Sequence, residues 1–137
     1  MEENFIEHNL SLLENNSCVF AMGCNFTHPY KEEKQKTYNP DGVIIFNKSN
    51  FVSINGFEQW RCGADSDLKI RFKLLGLTLI DADLPTYLRR LHKNSLTAGA
   101  TTYGFGGEYR TNVQKIVRSR DTPNIEKYCV LADYKII

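Results

Sequence analysis

Apolar residues along the chain fall into short clusters, and their spacing predicts alternating helices and strands. Phe5, Ile6, Leu10, Leu12 and Leu13 make an apolar stripe. That stripe predicts a helix over residues 3–15, stopped by Asn15-Asn16. Cys18 to Met22 is continuously apolar and ends at Gly23, the pattern of a buried strand. Residues 24–41 are polar, densely charged from Lys31 to Lys36, and close on the turn cluster Asn39-Pro40-Asp41-Gly42. They read as an exposed loop. Val43 to Phe46 is a second buried-strand run. Ser49 then caps a short helix through Ile54, which Asn55-Gly56 terminates.

Residues 57–64 follow neither period and read as a loop. Asp65 next stands as the N-cap or a first-turn residue of a helix. In that helix Leu68, Phe72 and Leu75 share a face, Arg71 and Lys73 lie off it, and Gly76 ends it. Leu77 to Ile80 and Thr86 to Leu91 read as two strands, with Pro85 before the second and Asp81-Ala82-Asp83 in a turn between them. Residues 94–107, rich in Gly, Thr and Ser, read as a mobile loop. Residues 108–118 form a helix with Val113, Ile116 and Val117 inward. Residues 119–137 form a C-terminal extension whose apolar runs, Tyr128 to Leu131 and Tyr134 to Ile137, are strands or docking segments. No repeat is present. The pattern predicts one domain over 1–137, of α/β class, with a small mixed sheet and flanking helices.

Length and composition agree with a single globular domain: 137 residues, 42% hydrophobic and 24% charged. The net charge of +1 gives no single-sign field to gather nucleic acid or an anionic membrane. No apolar run approaches the roughly 20 residues of a membrane helix. The acidic start, Met1-Glu2-Glu3-Asn4, lacks the features of a secretory signal. Cys18, Cys24, Cys62 and Cys129 form no C-x-x-C pair and only three histidines are present, which argues against structural zinc. Scattered cysteines without a signal read as reduced thiols of a cytoplasmic protein, although the spacing leaves a Cys18–Cys24 bridge open.

The chemistry concentrates between Gly42 and Thr97. A strand and short helix end in Asn55-Gly56-Phe57. A loop carries Trp60-Arg61, and Gly63-Ala64-Asp65-Ser66-Asp67-Leu68 opens a helix. A later strand holds Arg89-Arg90 and is followed by His92. This order resembles the acceptor-side half of GT-A-fold glycosyltransferases of the large family 2, and is similar to the C-terminal domain of the β-1,4-galactosyltransferase group. The resemblance implies a partial GT-A domain. The parent enzyme would transfer a hexose or N-acetylhexosamine from a nucleotide sugar to a glycan hydroxyl, using Mn²⁺ or Mg²⁺. It implies that Asp65 is the base that deprotonates the acceptor hydroxyl. By the same match Trp60, Arg61 and Asp67 contact the acceptor, Arg89 and Arg90 face the diphosphate, and His92 binds the metal. Ala64 departs from the Glu that often precedes the base.

The residue types suit these tasks. A carboxylate within hydrogen-bond reach of a hydroxyl is a competent general base, and a helix N-terminus keeps Asp65 ionised. An indole face stacks on a sugar ring, and imidazole ligates Mn²⁺. Plainer readings stand beside them: Asp65 as a cap, Asp67 as a solvated first-turn carboxylate, Trp60 as core, and His92 as an exposed strand-end residue. In such enzymes the nucleotide-binding β-α-β units and their Asp-x-Asp motif precede this region. Asp65-Ser66-Asp67 and Asp81-Ala82-Asp83 match that motif by letters only. The chain alone is therefore expected to bind no metal and to transfer no sugar, and to associate with a missing N-terminal half or with a second copy. Two rivals are a non-catalytic module that binds glycan or protein, and a metal-dependent hydrolase using Asp65 and Asp67.

Overall fold

The computed structural model describes residues 4–27, 35–38, 42–91, 104 and 106–124. They form a mixed α/β protein that divides into two compact units: 1–47 with 77–93, and 48–76 with 94–137. The expected mobile loop at 94–107 lies outside the described residues except for 104, 106 and 107. The apolar C-terminal runs lie wholly outside them.

The first unit is a sheet with one helix. Helix α1 (Phe5–Leu13) packs against β1 (Cys18–Thr27), β3 (Ile44–Phe46) and β4 (Leu79–Leu91). Strand β1 is the axis. β4 runs parallel to it along one edge, in register from Cys18↔Leu79 to Thr27↔Leu91. On the other edge β2 (Gln35–Tyr38) pairs with 23–25 and β3 with 18–20, both antiparallel. β2 and β3 are thus two pieces of one returning path, and four strands make a sheet three strands wide. Hydrogen-bonded on both edges, β1 supplies the core: Cys18, Val19, Phe20 and Ala21 are buried, as is Ala82 of β4. Full burial of Phe20 alone is worth about 1.5–3 kcal/mol.

Two sequence expectations change here. Residues 24–41 are not all loop, because β1 continues to Thr27 and β2 pairs with it. Backbone pairing rather than apolar patterning defines that strand. Residues 77–91 are not two strands joined by a turn. They form one strand, with Asp81-Ala82-Asp83 inside it. Asp81 pairs with Phe20 and Pro85 with Met22, so 82–84 bulge opposite Ala21. Pro85 has no N–H to donate, and a bulge on a strand paired, among the described residues, on one side tolerates that loss.

The second unit is helical. Helix α2 (Lys48–Ser53), α3 (Ala64–Leu74) and α4 (Glu108–Arg118) are joined to the long turn 54–63. Trp60, Cys62, Tyr109, Val113 and Val117 form an apolar cluster, with Ala64, Ile70 and Ile116 against it. Leu68 and Phe72 of α3 are fully buried as their spacing predicts, but so is Arg71, which the apolar period puts off that face, whereas Leu75, placed on it, is exposed. The helix ends at Leu74, and Gly76 takes φ +74° just beyond it. Cys18 and Cys62 are buried and in no disulfide, so the Cys18–Cys24 bridge does not form. Among the described residues no helix is long and apolar enough to cross a membrane.

Candidate functional site

Four of the sequence-selected residues, Trp60, Arg61, Asp65 and Asp67, lie between the turn after α2 and the start of α3. Asn55 and Gly56 both have positive φ, 61° and 78°. They reverse the chain so that Phe51 meets Phe57 edge-on, with ring centroids 5.0 Å apart. Gly63 is the N-cap of α3, with φ 83°. A Cβ there would sit 3.3 Å from Val113 Cγ1, so both backbone angle and close packing call for glycine. Its carbonyl accepts the first helical bond, from Asp67 N–H at 2.9 Å.

Asp65 is therefore a first-turn residue and not the cap. Its side chain is half-buried, and its Oδ1 accepts a hydrogen bond from Ser66 N–H at 2.9 Å. This carboxylate stands in the first turn of α3, at the positive end of the helix dipole. Asp67, two residues further into the helix, is fully buried. Its Oδ1 accepts from Arg120 Nε at 2.5 Å and its Oδ2 from Arg120 Nη2 at 3.3 Å. Arg71 Nη1 stands 3.6 Å from the same Oδ2.

Trp60 is 8% exposed and belongs to the apolar cluster. Arg61 is exposed, and its backbone N–H donates to Tyr109 Oη at 3.1 Å. Arg89 and Arg90 lie in β4, in register with Asn25 and Phe26 of β1. They belong to the first unit, whereas Asp65, Asp67, Trp60 and Arg61 belong to the second. His92 lies outside the described residues. Among the described residues no three His, Cys, Asp or Glu side chains converge as metal ligands, so these residues do not by themselves make up a metal site.

Periodicity misses the charged core of this unit. Arg71 donates from Nε to Pro123 O at 2.7 Å, from Nη1 to Gly56 O at 2.6 Å and from Nη2 to Ile54 O. Arg120 donates from Nη1 to Asn124 O at 3.1 Å, and its Nη2 lies 3.0 Å from Glu58 Oε1. Two guanidiniums and two carboxylates thus bind the turn 54–58, helix α3 and segment 120–124 into one piece. Burial pushes the Glu58 carboxyl above the ordinary glutamate range, with Arg120 working against the rise. Burial likewise pushes Arg71 down. Burial pushes the Cys62 thiol up, with Arg110 working against the rise. One signal for the cluster was present in the sequence, the opposite charges of Asp67 and Arg71 four apart on a helix.

No protein-family model, no curated protein and no solved structure matches this chain.

Proposed function

We propose that the chain is the acceptor-side half of a GT-A-like glycosyltransferase of family 2 type, with Asp65 as its general base. The observation that carries the reading is the order of elements around Asp65. A strand, a short helix and a reversing Asn-Gly-Phe turn lead through a Trp-bearing segment into a helix that opens on Gly63-Ala64-Asp65. A long strand parallel to β1 follows. Asp65 suits the role because its carboxylate is half-exposed and held by a local hydrogen bond in the first turn of α3. In such a reaction Asp65 would take the proton of the acceptor hydroxyl as that oxygen attacks the sugar. Exposed Arg61 stands on the same segment and would meet the acceptor's polar groups. Arg89, Arg90, His92 and the metal, Mn²⁺ or Mg²⁺, would serve the donor side, completed by an N-terminal half outside these 137 residues.

A second reading is favoured by one observation. Asp67 is fully buried against Arg120 and Arg71, and Trp60 is core. Two of the three residues matched to acceptor contact therefore also hold the fold. That suits a non-catalytic module, derived from a glycosyltransferase, that binds glycan or protein.

Calorimetry tests the division of labour. With UDP- and GDP-sugars plus Mn²⁺ the isolated chain should show no micromolar binding and no transfer. Clear micromolar donor binding would contradict a half that holds the acceptor alone.

A further inference from the structure

The four buried charges of the helical unit are unequally held. Arg71 has three backbone carbonyls and Asp67. Arg120 has both oxygens of Asp67 and the carbonyl of Asn124. Among the described residues Glu58, 3% exposed, has one ion-pair contact, Arg120 Nη2 at 3.0 Å, and that nitrogen is shared with Asp67 Oδ2 at 3.3 Å. Among the described residues neither Glu58 oxygen accepts a well-formed hydrogen bond. Glu58 is therefore the member that the cluster can release at least cost.

We propose that Glu58 is the proton-accepting member of a pH-sensitive clasp: when it takes up a proton, Arg120 passes wholly to Asp67 and the arc 57–59 loses its inner anchor. The charged groups that face Glu58 are Arg120, from the segment after α4, and Asp67 and Arg71, from α3. Protonation changes the cluster from two positive and two negative charges to a net single positive charge. The surplus is tolerated because Arg71 keeps its carbonyls and Arg120 keeps Asp67. Either side of the arc stays fixed. Arg71 holds the carbonyls of Ile54 and Gly56, while Tyr109 Oη holds the Arg61 N–H. Release is thus confined to the residues between, which include exposed Phe57. The direction of the linkage follows from burial. Glu58 prefers its proton more in the folded chain than in the unfolded one. Its contribution to stability is full at acid pH and is lost as pH rises through its folded pKa. This device stands on the cluster itself and does not depend on sugar transfer.

The test uses the whole chain and Glu58→Gln, which mimics the protonated acid. At about pH 7.5 the variant should melt higher than wild type, while its 57–59 amides should exchange several-fold faster; both differences should close as pH falls toward about 4.5. The side-chain carboxyl carbon of Glu58, followed by NMR in wild type, supplies a readout that needs no variant. It should titrate above the ordinary glutamate value. Titration at or below that value, or differences between the two proteins that are the same at every pH, would overturn the proposal.

Discussion

The interiors of the two units are built on opposite terms. In the strand unit the core is Cys18-Val19-Phe20-Ala21, an uninterrupted apolar run hydrogen-bonded on both edges, with Ala82 beside it. In the helical unit an apolar cluster around Trp60 and Tyr109 shares the interior with Glu58, Asp67, Arg71 and Arg120, all buried. Apolar packing is tolerant, because any side chain of suitable size fills much the same space. Buried charges are demanding, since each must find its partner or leave an expensive vacancy. The helical unit therefore commits its geometry around Asp65 to a few specific ion pairs, where the strand unit relies on backbone pairing and bulk.

The sharpest way to break that contrast is Asp67→Ala. It leaves two buried guanidiniums facing one carboxylate, and should cost roughly 3–5 kcal/mol in urea unfolding. Amide protection should fall in 54–76 and 108–124, while 18–21 stays protected. A uniform loss across both regions, or a cost below about 1 kcal/mol, would mean that the ion pairs do not organise the helical unit.

At the small end stands a polar contact of the strand unit. His8 Nε2 lies 3.2 Å from Asp83 Oδ1, and the Asp83 side chain is 75% exposed. Water screens such a pair, so His8→Ala should cost less than about 1 kcal/mol, measured by the same unfolding. A loss as large as that of Asp67→Ala would erase the distinction between a buried cluster and a surface contact.

These interiors also mark how far the sequence could be read. α1, β1, β3 and α4 were legible because apolar stripes and runs announce them. β2 was not, because Gln35-Lys36-Thr37-Tyr38 has no apolar alternation; its strand character comes from pairing with a distant segment. The single strand through Pro85 was hidden for the opposite reason, a local breaker absorbed by a bulge. In the candidate site, the sequence narrowed Asp65 to the cap or the first turn, and the cap proves to be Gly63. The buried roles of Asp67 and Arg71 could not, because apolar periodicity sorts charges outward by rule. Arg120 meets Asp67 across 53 residues, and no local pattern reports a contact at that range.

The proposed division between Asp65, which does chemistry, and Asp67, which holds structure two residues away, is tested most directly by Asp65→Asn. The variant is made in a protein that joins this chain to the proposed donor-binding half, and followed by steady-state kinetics with a thermal melt alongside. The Asp65 carboxylate makes a local bond, so losing its charge at the helix end should cost less than about 1 kcal/mol of stability. Turnover should fall by roughly 10²–10⁴-fold, the range for loss of a general base, with donor binding nearly intact. Unchanged turnover in a well-folded Asp65→Asn protein would contradict the catalytic assignment and leave the binding-module reading in its place.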